Sequence, residues 1–81
     1  MFHVLILSSR PKGKDTLLFE GQSSAVLLPG KDGEFEILDF HKPILSLLKK
    51  GILLVDNQKE FMVKGGVVKM SRQSLVAVVD L

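Results

Sequence analysis

The chain has 81 residues, eleven basic and nine acidic side chains for a formal charge of +2, no cysteine, and a hydrophobic share of 46% rich in Val, Leu and Ile. This length allows one domain near the lower limit for a self-sufficient core, and the missing cysteines exclude a disulfide framework and a thiolate metal site. With no long run of like charges and no basic cluster interleaved with aromatics, nucleic-acid binding has no support.

In chain order, the first predicted strand covers 2–8, FHVLILS, and ends at a loop marked by Pro11 and Gly13. It is too short for a signal-peptide core and lacks a basic leader. No apolar run approaches the roughly 20 residues of a membrane helix, so the chain is expected to be soluble, with membrane association only through another protein. Further runs are predicted at 16–20, stopping at Gly21, and at 24–28, stopping at Pro29-Gly30. Others follow at 34–38, 44–48, 52–55, 61–64, 67–70 and 75–80. The breakers between them are Asp56-Asn57-Gln58, Gly65-Gly66 and Ser71-Arg72-Gln73-Ser74.

Turn signals about 8–12 residues apart predict an all-β domain spanning 1–81: a small two-sheet β-sandwich or flattened barrel of about eight to ten short strands. Residues 44–50 also fit two turns of helix, with Pro43 at the first helical position and Gly51 past its end. Several strands are apolar on both faces: Val4-Leu5-Ile6-Leu7, Ile52-Leu53-Leu54-Val55 and Val76-Ala77-Val78-Val79. A sheet with one wet face alternates. Here one face wants a second sheet and the other a possible partner.

The polar residues offer little chemistry. His41 lies two residues from Asp39, close enough for a local hydrogen bond on a strand, and no further group completes a catalytic set. His3 and His41 make a poor metal site without a third ligand. Gly13-Lys14-Asp15-Thr16 resembles the end of a phosphate-binding loop, but Ser8 stands where the first glycine belongs and Asp15 where Ser or Thr should follow the lysine. Gly30-Lys31-Asp32-Gly33 joins two predicted strands, so no helix N-terminus faces an anion there. It is a tight turn. Gly65-Gly66 fits a hairpin or a close approach of two backbones. No active site, cofactor or small-molecule substrate is expected.

The stretch Pro29-Gly30-Lys31-Asp32-Gly33-Glu34-Phe35, then Ile37-Leu38, His41-Lys42-Pro43-Ile44-Leu45 and Gly51, resembles a family pattern. In order, it matches the PGxxGxF turn, the hydrophobic pair and the HxPLL motif of the N-terminal β-sandwich domain of the epsilon subunit of F-type ATP synthases (delta in mitochondria). Gly65-Gly66 with 67–70, and the ending 74–81, are similar to the family's later strands. The chain departs from the pattern at Glu36, Asp39-Phe40 and Lys42. It has nothing matching the C-terminal helical hairpin that commonly follows.

The resemblance implies a non-catalytic subunit of the rotor. In that family the domain clamps the gamma subunit and rests on polar loops of the membrane c-ring, at the cytoplasmic face of the bacterial inner membrane. By position, Lys31, Asp32, Gly33 and Glu34 are implied as the c-ring contact, and Phe40, His41 and Lys42 as the gamma contact. Phe35, Ile37, Ile44 and Leu45 are expected in the core. The alternative is a free-standing small β-barrel module for protein interaction, gripping a peptide strand at a sheet edge.

Overall fold

At most places where an apolar run meets Gly, Pro or a polar pair, the chain turns back. The computed structural model describes residues 1–10, 16–39 and 42–81, which contain nine strands and no helix. These are β1 (Phe2–Ser8), β2 (Leu17–Ser23), β3 (Ala25–Gly30), β4 (Gly33–Leu38), β5 (Ile44–Leu48), β6 (Gly51–Val55), β7 (Lys59–Val63), β8 (Gly65–Ser71) and β9 (Ser74–Asp80). The all-β expectation holds, and 44–48 is strand, not helix. The predicted stop at Gly21 is overrun, because β2 is an edge strand that continues to Ser23. Gly21 leaves room for the neighbouring Phe19 ring, which would lie 3.5 Å from a Cβ at this position. The loop at Pro11 and Gly13, with the resemblance to a phosphate loop, lies outside the described residues.

All nine strands join into one hydrogen-bonded sheet, in the order β2-β1-β9-β8-β5-β3-β6-β7, with β4 also on β3. The join between its halves is narrow. β5 meets β3 at a single pair, Gly30 opposite Leu48, and there the sheet curls over on itself. One half is β2-β1-β9-β8-β5 and the other β4-β3-β6-β7. The first and last strands, β1 and β9, run parallel side by side, while the other pairings are antiparallel.

Both halves contribute alternate residues to one core. Phe2, Val4, Ile6, Val68, Met70, Leu75, Ala77 and Val79 come from the first half, and Val26, Leu28, Ile37, Leu53, Val55 and Val63 from the second. Burying each such aliphatic side chain contributes about 1.5–3 kcal/mol.

Two hairpins take backbone angles that only a few residue types accept easily. Asp56 and Asn57 have φ of 51° and 55°, and Arg72 and Gln73 have φ of 50° and 59°. Two successive positive φ values fit the right-handed twist of the flanking strands. Gly66 has φ of +155°, and a Cβ there would run into the carbonyl of Val78. This is the close approach of two backbones that the paired glycines suggest.

Candidate interaction site

The turn at 31–34 projects from the end of β3. Gly30 and Gly33 pair across it and leave Lys31-Asp32 as a two-residue loop. Gly33 takes φ of +134° in open space, so its demand is conformational. Gly30 answers a different need: a Cβ there would come within 2.7 Å of the Phe35 ring and 2.6 Å of the Gly33 carbonyl oxygen. With Phe35 turned inward against the core, Lys31, Asp32 and Glu34 stand exposed. None of the three takes part in an ion pair among the described residues. They form a charged tip available to a partner.

The second predicted group is less complete. Lys42 is exposed just before β5, whereas Phe40 and His41 lie outside the described residues, and with them the Asp39–His41 contact. Asp39 itself is engaged elsewhere. The Met1 ammonium is 2.7 Å from its Oδ1, and the Gln73 side-chain amide donates to the same oxygen at 3.2 Å. The hydrogen bond from the amino terminus, aided by Gln73 and opposed by burial, holds the Asp39 carboxyl below the usual carboxylate range.

Strand register exposes a surface that the sequence reading assigned only as a possibility. Leu7 pairs with Val78, Val78 with Val67, and Val67 with Leu47, forming one apolar row across β1, β9, β8 and β5. The next row is Leu5, Val76, Lys69 and Leu45. Directly opposed residues on neighbouring strands share a face, so these side chains lie opposite the core. The first row is roughly 14 Å wide at the usual strand spacing. Leu45 is 74% exposed and Leu47 56%, and the valines beside them are half-buried. Leu45 is therefore not a core residue as expected. Ile37 is buried, and Phe35 and Ile44 pack against the core, as expected. Leu45 differs because it stands opposite the outward Lys69.

His3 meets Glu20 at 3.1 Å with both side chains largely solvated, and Arg10 approaches Asp80 at 3.6 Å. Pairs this exposed contribute little. On the second half, Lys50, Gly51, Ile52, Met62, Val63, Lys64 and Leu81 line a groove of about 320 Å³. Its side chains are apolar apart from Lys50 and Lys64. Among the described residues no three His, Asp or Glu side chains gather where they could hold a metal ion.

Residues 13–80 match the family model described as the ATP synthase delta/epsilon chain, β-sandwich domain. The chain belongs to that family. An ATP synthase epsilon chain from Rhodopseudomonas palustris is 33% identical over 70 residues, covering 83% of this chain and 52% of the relative. One from Nitratiruptor is 38% identical over 68 residues, covering 79% of this chain and 53% of the relative. This delta/epsilon domain thus spans about half the length of the relatives it matches. Among solved structures, it is similar to a chain of the Tetrahymena thermophila mitochondrial ATP synthase central stalk and c-ring, with TM-score 0.77 and 15% identity over 98% of this chain and 63% of that one. A chain of the Euglena gracilis mitochondrial ATP synthase gives TM-score 0.74 and 18% identity over 98% of this chain and 51% of that one. At such identities the likeness is one of fold.

Proposed function

We propose that the chain is a non-catalytic central-stalk subunit of an F-type ATP synthase. It binds the gamma subunit and seats the stalk on the c-ring during ion-driven ATP synthesis. It works at the cytoplasmic face of the bacterial inner membrane, which it meets only through the complex. Family membership supports the assignment, and the exposed charged tip supports the c-ring contact at Lys31, Asp32, Gly33 and Glu34. Charged pairs at such a rim set register and encounter rate more than affinity.

The observation that carries the gamma contact is the apolar row Leu7–Val78–Val67–Leu47, with Leu45 beside it, on the outside of the sheet. Contiguous apolar surface of this kind marks a site that a partner covers. Lys42, exposed two residues before β5, adds a charged group beside that strand, and the family resemblance adds Phe40 and His41 to the proposed gamma contact.

Co-purification of the 81-residue chain with the gamma subunit of the same organism tests the reading. The unmodified chain is expected to bind, and Leu45→Glu/Leu47→Glu to lose affinity on the order of thirtyfold while staying folded. Failure of the well-folded unmodified chain to bind gamma would overturn the reading and favour the free-standing interaction module.

A further inference from the structure

We propose that Gly51 is a positioning residue: with Pro29 it forms the corner that fixes the charged tip relative to the apolar face of β5. The proposal rests on the reading of those two surfaces as docking sites. Its basis is a change of partner along β3. At Val26 and Leu27 this strand pairs with Val55 and Leu54 of β6, but at Gly30 it pairs with Leu48 of β5. Between these points stands Pro29, which has no N–H to donate and so suits a break in a ladder.

Beyond the corner, backbone groups lace the tip to β5. Lys31 N–H donates to the Leu47 carbonyl at 2.9 Å, and Lys49 N–H donates to the Pro29 carbonyl at 2.9 Å. The residue that opens the tip is thus bonded to a residue of the apolar face. Gly51 starts β6 just where β3 leaves it for β5. A Cβ on Gly51 would lie 2.6 Å from Pro29 Cβ and 3.3 Å from its Cγ. Pro29 is buried and its ring is rigid, so the displacement must pass into β3 and the tip. Gly51 has no positive φ, so alanine there brings no backbone strain of its own. Substitution reports on the contact alone.

The test compares Gly51→Ala, Pro29→Gly and the double variant in the 81-residue chain. In amide hydrogen exchange, Gly51→Ala is expected to reduce protection of the Lys31 and Lys49 amides about tenfold and to leave the β1–β9 ladder unchanged. Affinity for c-ring–gamma complexes should fall at least fivefold, with affinity for isolated gamma within twofold. Once Pro29 is glycine, adding Gly51→Ala should have no further effect. Unchanged protection at Lys31 and Lys49, an equal loss toward both partners, or an undiminished effect without the Pro29 ring would each overturn the proposal. Glu34→Lys serves as the separate check on the tip. If it leaves c-ring binding unchanged, the c-ring reading fails, and the exchange measurement still decides whether the corner exists.

Discussion

Leu47 and Leu48 are neighbours in β5 with opposite fates: Leu47 is 56% exposed on the face it shares with Val67, and Leu48 is 6% exposed at the join with Gly30 of β3. Their substitutions should therefore separate stability from binding. Leu48→Ala removes packing where the two halves of the sheet meet, and is expected to destabilise by about 2–5 kcal/mol. Leu47→Ser should change stability by less than about 0.5 kcal/mol and weaken capture by gamma. Urea unfolding midpoints and gamma affinity, measured on both variants, check the pair. Equal destabilisation would place Leu47 in the core after all.

Asp56 makes the fold sensitive to acid. Burial pushes its carboxyl up, but the hydrogen bonds from the Ser24 and Ala25 N–H groups, together with the nearby Ser23 hydroxyl, outweigh that and bring it below the ordinary value. The two N–H groups reach Oδ1 at 2.9 and 3.1 Å, tying the β6–β7 turn to the start of β3. A carboxyl lowered in the folded state gives stability that is fully present above its unfolded pKa of 3.8. That stability is lost as pH falls through the folded value. Asp56→Asn retains an acceptor and tolerates the left-handed turn, so it should flatten the acid limb of the stability profile. Thermal unfolding at a series of pH values, down to below pH 3.8, measures this. Asp39 contributes in the same direction through the amino terminus, and Asp39→Asn should add to the flattening.

The β8–β9 turn can be improved. Arg72 occupies left-handed backbone at φ of 50°, a conformation that disfavours ordinary L residues by about 1–2 kcal/mol and suits asparagine better. Arg72→Asn is expected to stabilise by about 0.5–1 kcal/mol. Gln73 is different, although its φ is 59°. Its side chain donates to Asp39 and, at 3.4 Å, to the Met1 carbonyl. Gln73→Gly should therefore gain less than Arg72→Asn, or lose. Chemical denaturation of the two variants in parallel decides the order.

Much of the fold was legible because its turns are written in local chemistry. Pro29-Gly30, Asp56-Asn57-Gln58 and Gly65-Gly66 break runs that can only be strands at this spacing. Which way the strands face was not legible. β5 has one polar residue, Ser46, and alternation alone would turn it to water. It stands opposite the buried Val68, so Ile44, Ser46 and Leu48 point inward and the two leucines flanking it, Leu45 and Leu47, point out. With both faces apolar, the phase is set by Lys69 on β8, a residue distant in sequence. The change of partner at Pro29 was hidden for the same reason: it joins β3, β5 and β6, and no local signal spans them. The charged tip needed none of that information, since two glycines around Lys31-Asp32 already specify an exposed hairpin end.

Glu34 brings the tip to a measurable test. It is exposed, stands opposite Pro29 in the β3–β4 ladder, and makes no ion pair among the described residues. Glu34→Lys therefore removes no internal contact, and the melting temperature of the isolated chain should change by no more than surface substitutions usually allow, about 0.5 kcal/mol in stability. Toward the c-ring the same change reverses a charge at the proposed rim. Association should slow, and the loss should shrink as salt rises, because exposed charges are screened beyond about 8 Å at physiological ionic strength. Association rates with c-ring–gamma complexes at low and high salt distinguish this from a packing defect, whose effect would be the same at both. A rate equal to that of the unmodified chain at low salt would remove Glu34 from the interface.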